Sequence, residues 1–195
     1  MHRGAAETFD ESADLVTLVV TPLVVVSAGA KSHVDVGATL ERLETLNIPV
    51  LGYRTRRFPG FYVADSGHAV EHCADSSAEV AAAVAARDAL GLRAALLVAN
   101  PVPVADHLDS QVHDRTLAEA LEQVREQGIA GHDLTPFLLD RIRRATGGRS
   151  LAVNIAVYRN NNIAVATDIA HARRELSELS VALTAAVLFS RSRGE

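Results

Sequence analysis

Apolar positions along the chain fall into short blocks that switch between two periods. Leu23-Val24-Val25-Val26 is continuous, mostly β-branched and apolar, the pattern of a strand buried on both faces, and it ends in Ser27-Ala28-Gly29-Ala30-Lys31. From Asp35 to Asn47 the period becomes helical, with Val36, Leu40, Leu43 and Leu46 on one stripe, and Ile48 to Gly52 reads as the next strand. Strand, helix and strand make a βαβ unit, which puts Lys31 just beyond the carboxyl end of a central strand. Upstream, Thr8-Phe9-Asp10-Glu11 has the spacing of a capping box for a helix to about Leu18, and Ser12 is an equally good later start.

Beyond Tyr53 the chain to Gly67 is rich in Arg, Pro and Gly and predicts a loop with a short extended piece, Phe61 to Ala64. An alanine-rich helix is expected from Ser76 until Gly91, then a strand from Ala94 to Ala99, which Asn100-Pro101-Val102-Pro103 terminates. Leu117 to Glu126 is helical and stops at Gly128; Thr135-Pro136 opens the next helix, and Thr146-Gly147-Gly148 closes it. Leu151 to Tyr158 fits helix or strand, since Val153, Ile155 and Val157 alternate, and Asn160-Asn161-Asn162 predicts a turn after it. From Ile163 the pattern is helical to about Phe189, with a frayed tail expected from residue 190.

The 195 residues, 48% hydrophobic and 22% charged, suit one domain spanning 1–195. A net charge of −5 argues against nucleic acid or an anionic membrane as partner. The polar, acidic start does not read as a secretory leader, and the apolar run from Leu15 to Ala30, broken by Thr17, Thr21 and Pro22, is too short to span a bilayer. The lone Cys73 excludes an intramolecular disulfide and any zinc site built on several cysteines, which fits a reducing compartment; a cytoplasmic protein is expected.

The basic residues change the picture most. Eighteen of the nineteen are arginine, so Lys31 is the only lysine. Arginine replaces lysine wherever a generic positive charge suffices, but not where an amine must lose its proton and attack a carbonyl carbon. A lysine beside a strand end and shielded from water is a Schiff-base candidate; the bland alternative is a surface ion pair. Tyr53 and Asn100, also at strand ends, are expected to face the same cleft. Asp10 and Asp14, four apart, would share a helix face and could hold a divalent metal, although aspartates at helix starts more often cap. Asn154 lies in an apolar stretch and needs a hydrogen-bond partner if buried. Phosphate is a possible ligand of His2, Arg3 or a helix start. The eight histidines show no HExxH, though His68 and His72 could share a helical face. No GxGxxG, Walker or GxSxG motif occurs.

The stretches HRGAAETFDESADL, VVSAGAKSHVDVGATLERLETLNIPVLGY, FPGFYVADSG, LLVANPVP and TPFLLDRIRRATGGRSLAVNIAVYRNN together resemble the pseudouridine-5'-phosphate glycosidase family, which includes the indigoidine-synthase-A-like proteins. The resemblance runs from His2 to about Ala170. It implies a three-layer α/β/α fold with a mixed central sheet, assembled as a homotrimer, and a manganese-dependent enzyme that reversibly cleaves pseudouridine 5'-phosphate to uracil and ribose 5-phosphate. It further implies Lys31 as nucleophile, Asp10 as metal ligand, Ser12-Ala13-Asp14 and Asn154 as substrate-binding residues, and His2 near the phosphate. Ser27 stands where many relatives have cysteine, and Asn162 where many have alanine.

Relatives carry a substantial portion before HRGA, with an acidic proton donor and a second, substrate-binding lysine, so the fold is expected to be incomplete at its N-terminus. Two functional classes follow. One is an enzyme whose full site needs sequence beyond these residues, leaving this chain little active alone; the other is a catalytically inert sugar-phosphate-binding remnant or subunit. An aldolase that uses a Schiff-base lysine is a weaker third.

Overall fold

The computed structural model describes residues 1, 5, 9–31, 34–129 and 133–191. His2, expected near the phosphate, and Thr8, expected to cap the first helix, lie outside the described residues. In chain order the elements are α1 (Asp14–Val20), β1 (Val24–Ser27), α2 (Val36–Thr45), β2 (Val50–Tyr53), β3 (His72–Ala74), α3 (Ser77–Ala89), β4 (Leu96–Ala99), α4 (Ser110–Gln127), α5 (Leu134–Ala145), α6 (Arg149–Tyr158), a π-helical turn at Arg159–Val165, and α7 (Ala166–Arg191).

Local chemistry accounts for most boundaries. Asp35 caps α2 by accepting from the Ala38 amide at 2.9 Å, Ser76 caps α3 by accepting from Glu79 at 3.2 Å, and Asp109 caps α4 by accepting from Val112 at 2.9 Å. Gly128, with φ of +64°, ends α4 in the left-handed conformation. The later of the two expected starts holds for α1, where the Ser12 hydroxyl accepts from the Asp14 amide at 3.2 Å.

The four strands form one sheet in the order β1-β4-β2-β3, and every pairing is parallel. Among the described residues the antiparallel part of the expected mixed sheet is confined to isolated bridges, Gly29 with Gly60 and Arg57 with Ala69. Alternation along the strands separates two faces. Val24, Val26, Leu51, Tyr53, Leu96 and Val98 pack with Val80 and Val84 of α3 and Ile169 of α7. Val25, Val50, Leu97 and Ala99 pack instead with Leu15 of α1 and Leu43 of α2. Helices cover both faces, giving the three-layer α/β/α arrangement. A third cluster, at the strand carboxyl ends, joins Ala28, Phe61, Tyr62, Val102 and Leu108 to Ile142 of α5 and to Val153 and Val157 of α6.

Several expectations are corrected. The strand before Lys31 is β1, which stands at the edge of this sheet; the central strands are β4 and β2. The ambiguous stretch at 151–158 is helix α6: Val153 and Val157, one turn apart, are buried, and Ile155 between them is exposed. The asparagine run makes no turn, because the chain continues through the π-helical segment into α7. His72 starts strand β3 and so shares no helix face with His68. Residues 190 and 191, expected to be frayed, still belong to α7, and 192–195 lie outside the described residues. No helix among the described residues is long and apolar enough to cross a membrane.

Candidate active site

In open parallel sheets, ligands gather at the carboxyl ends of the strands, where loops rather than helices meet the solvent. Four pieces of chain converge there: the Ser27 to Lys31 loop, the Phe58 to Val63 turn, the Asn100 to Pro103 exit from β4, and the π-helical turn.

The lysine loop is tightly constrained. The Ser27 hydroxyl lies 3.1 Å from both the amide and the carbonyl of Gly29, folding the chain back as it leaves β1. Gly29 has φ of +91°, and a Cβ there would sit 1.7 Å from the Pro59 carbonyl oxygen, so only glycine fits this approach of two backbones. The approach is fastened by the Phe61 amide donating to the Ala28 carbonyl at 2.9 Å. Phe61 itself has φ of +66°, a left-handed conformation unusual for a bulky side chain. The fold spends that strain on placement: the Lys31 ammonium stands 5.4 Å from the centre of the Phe61 ring, at cation–π distance. Lys31 is half-buried.

Beneath this platform the ring of Tyr62 meets Phe61 edge-on at 4.9 Å, and His113 lies 6.0 Å from Tyr62. Burial pushes the Tyr62 phenol above its ordinary value, so it keeps its proton at neutral pH. His113 is itself buried, and its Nδ1 lies 3.0 Å from Asp114. On the other side, the Asn100 amide donates to the Ser27 carbonyl at 2.8 Å, and the Asn100 side-chain amide donates to Oδ1 of Asn161 at 2.8 Å. Asn160 donates to the Pro101 carbonyl at 3.3 Å. The π-helical turn therefore closes on the end of β4 through two buried asparagines. Such turns concentrate at functional sites because the extra residue redirects side chains.

The structure gathers some of the expected site residues and separates others. Ala30, beside Lys31, packs into the same cluster as Leu15 and Leu18 of α1, the helix that follows the 10–13 segment. Glu11 anchors that segment through a bidentate pair with Arg42, both bonds 2.8 Å. Asp10 precedes the helix, after Phe9 at φ of +56°, so Asp10 and Asp14 do not share the helix face that their spacing suggested. Both carboxylates are exposed, Ser12 is half-buried and Ala13 is exposed. Asn154 is exposed on α6, beside the buried Val153. Tyr53 faces no cleft: its ring is buried in the core between the sheet and α3. Sequence reasoning missed Phe61 as the platform for Lys31 and Asn161 as partner of Asn100. A bulky residue after Pro59-Gly60 was the available signal for the first; Asn161 sits in the polar run Arg159-Asn160-Asn161-Asn162, which carried no signal of its own.

Fold and site together define a class: a three-layer α/β protein that presents a lysine amine on an aromatic platform at the carboxyl end of a parallel sheet. Within that class the chain belongs to the family described as indigoidine synthase A like protein, which matches residues 1–172. A pseudouridine-5'-phosphate glycosidase of Saccharopolyspora erythraea is 70% identical over 172 residues, covering 88% of this chain and 56% of the relative. One of Frankia alni is 56% identical, over 87% of this chain and 47% of its own length. Among solved structures, the prealnumycin C-glycosynthase AlnA in complex with ribulose 5-phosphate superposes with a TM-score of 0.81 at 30% identity, over 90% of this chain and 58% of its own. The indigoidine synthase A-like protein of Thermotoga maritima gives a TM-score of 0.71 at 34% identity, over 84% of this chain and 55% of its own. The chain thus spans about half the length of these relatives.

Proposed function

We propose that the chain is the lysine-bearing portion of a pseudouridine-5'-phosphate glycosidase, one domain over 1–195, acting in the cytoplasm as a homotrimer. The observation that carries this reading is the single lysine held over Phe61 at the sheet's carboxyl end, inside the region that relatives named for this activity share at up to 70% identity.

The bond to be cleaved joins two carbons, so protonating a leaving oxygen, the usual glycosidase device, has nothing to act on. Lys31 supplies another route. Its neutral amine bonds to the anomeric carbon as the ring oxygen leaves with a proton, giving an open-chain amine. A proton is then added at the uracil carbon that bears the sugar. The nitrogen lone pair forms a carbon–nitrogen double bond, and the electrons of the breaking carbon–carbon bond return to the uracil ring. Water hydrolyses the iminium, which releases ribose 5-phosphate and restores the amine. Ser12, Ala13, Asp14 and Asn154 bind substrate in this proposal, and His2 lies near the phosphate. The acid that protonates the base comes from sequence outside these residues.

Manganese enters the proposal through Asp10. Among the described residues no three His, Cys, Asp or Glu side chains gather to hold a metal ion. Manganese favours about six oxygen ligands, so these residues alone do not fit a resident ion, and no step above depends on one.

The test is borohydride reduction of the 195-residue protein with ribose 5-phosphate, read by intact mass and peptide mapping. A reduced sugar adduct on Lys31, absent from Lys31→Arg, is the expected result. No adduct in this chain or in the full-length S. erythraea relative would overturn the mechanism. An adduct in the relative alone would favour the inert remnant for this chain.

A further inference from the structure

Asn100 stands where two parts of the candidate site meet. Its backbone amide donates to the Ser27 carbonyl at 2.8 Å, one step past Ser27 and Ala99, the last paired residues of β1 and β4. Ser27 in turn folds the chain at Gly29 on its way to Lys31. The Asn100 side chain donates to Oδ1 of Asn161 at 2.8 Å, in the π-helical turn that continues α6, and α6 carries Asn154. One residue is therefore bonded to the lysine loop through its backbone and to the extension of α6 through its side chain.

The helix is irregular in a way that keeps this contact. Val153, Val157, Asn161, Val165 and Ile169, every fourth residue, are all buried. In a regular α-helix each step of four residues overshoots one turn by about 40°, so a stripe with that spacing would wind by about 160° from Val153 to Ile169. The wider π-helical turn, with its i→i+5 bonds, takes up the drift and leaves Asn161 on the buried stripe between Val157 and Val165. Stability alone does not require an amide pair there: two apolar side chains of matching shape would fill the place at little net cost and desolvate no polar group. Asn100 and Asn161 are each 5% exposed, so the pair is a polar link held inside the fold.

We propose that Asn100 and Asn161 are positioning residues, whose amide pair fixes the lysine loop relative to α6 so that Lys31 and Asn154 are presented to one substrate. They act through the Ser27 carbonyl and the π-helical turn rather than on the reacting atoms. The inference rests on the glycosidase reading for the substrate, but its effect on Lys31 is measurable without that reading.

Because Lys31 is the only lysine, isotope-labelled lysine gives a single set of side-chain NMR signals, which the ring current of Phe61 displaces upfield of free lysine. Asn161→Ala and, independently, Asn100→Ala remove the bond, while Asn161→Asp keeps an acceptor of the same size for the Asn100 amide. Ile48→Ala is the control, a buried position just before the amino end of β2 and so at the opposite end of the sheet. In both asparagine-to-alanine variants the lysine signal should move toward free lysine, and borohydride trapping at saturating ribose 5-phosphate should slow at least about tenfold. Asn161→Asp should return the signal and bring the rate to within about threefold of the unaltered chain, and Ile48→Ala should leave both unchanged although it destabilises the fold. An unmoved lysine signal in either folded variant that lacks the bond, or an equal movement in Ile48→Ala, would overturn the proposal. A signal that moves as expected, while the unaltered chain forms no adduct, would uphold the link to Lys31 and count against the catalytic reading of this chain instead.

Discussion

Gly29→Ala is the sharpest probe of the lysine loop, and Gly67→Ala is its built-in control. The two glycines have nearly the same backbone, φ of +91° and +89°, so an alanine pays the same conformational strain at each, about 1–2 kcal/mol. They differ in surroundings: a Cβ at Gly67 meets nothing within 4 Å, whereas at Gly29 it would lie 1.7 Å from the Pro59 carbonyl oxygen. No side-chain rotation relieves a contact between two backbones. The strands of loop must separate, which breaks the Gly29–Gly60 bridge and the 2.9 Å bond from the Phe61 amide to Ala28. Each lost bond costs about 1 kcal/mol, and more where the freed group stays buried. The expected loss is therefore about 1–2 kcal/mol for Gly67→Ala and about 3–5 kcal/mol for Gly29→Ala, read by urea unfolding followed by circular dichroism. Because the same bonds set Phe61 under Lys31, Gly29→Ala should also diminish borohydride trapping at conditions where the variant is still folded. Losses within about 0.5 kcal/mol of each other would refute the argument that the close approach, rather than the positive φ, is what requires glycine at 29.

Three further outcomes are expected. Asn161→Leu leaves the Asn100 amide without its 2.8 Å acceptor in a buried place and should cost about 1–3 kcal/mol, with the Asn100→Leu, Asn161→Leu double variant losing less than the sum of the singles; strict additivity would remove the pair as a unit. Ile142→Ala, at a fully buried position in the cluster that includes Phe61, should destabilise by about 2–5 kcal/mol in the same unfolding assay, and a loss below about 1 kcal/mol would place Ile142 outside the core. Acid should also destabilise the chain: hydrogen bonds from Arg42, Arg57, Arg87 and Arg143 hold Glu11, Asp65, Asp88 and Asp140 below the ordinary carboxylate range. Groups depressed in the folded state contribute stability above their unfolded pKa and lose it as pH falls through the folded one, so the urea midpoint should be level at neutral pH and decline below about pH 4. The Arg57–Asp65 and Arg143–Asp140 pairs are exposed, so added salt should shrink their part of the decline, and less so that of the half-buried Arg42–Glu11 pair and of Asp88 on the buried Arg87; a midpoint unchanged from neutral pH to about pH 3 would count against all four.

By itself the sequence determined the parts whose causes are local. Apolar blocks made β1 and β4, helical periodicity made α2 and the later turns of α4, and side-chain caps at Asp35 and Ser76 set their helix starts within a residue or two, whereas α4 starts at Ser110, well before the Leu117 that periodicity marked. The lone lysine stood out by count in a chain whose other basic residues are arginine, and its place after a strand followed from the run that precedes it. Tertiary structure decided what depends on distant neighbours. Alternation at 153–157 fitted two periods until burial against Phe61 and Ala28 selected the helical one. The asparagine run has the composition of a turn, but pairing between Asn161 and Asn100, 61 residues away, holds it as a π-helical turn. Whether β1 lies inside or at the edge of a sheet is likewise invisible in its own residues, because apolar side chains report burial of the two faces, whereas strand order depends on which distant strands pair with it.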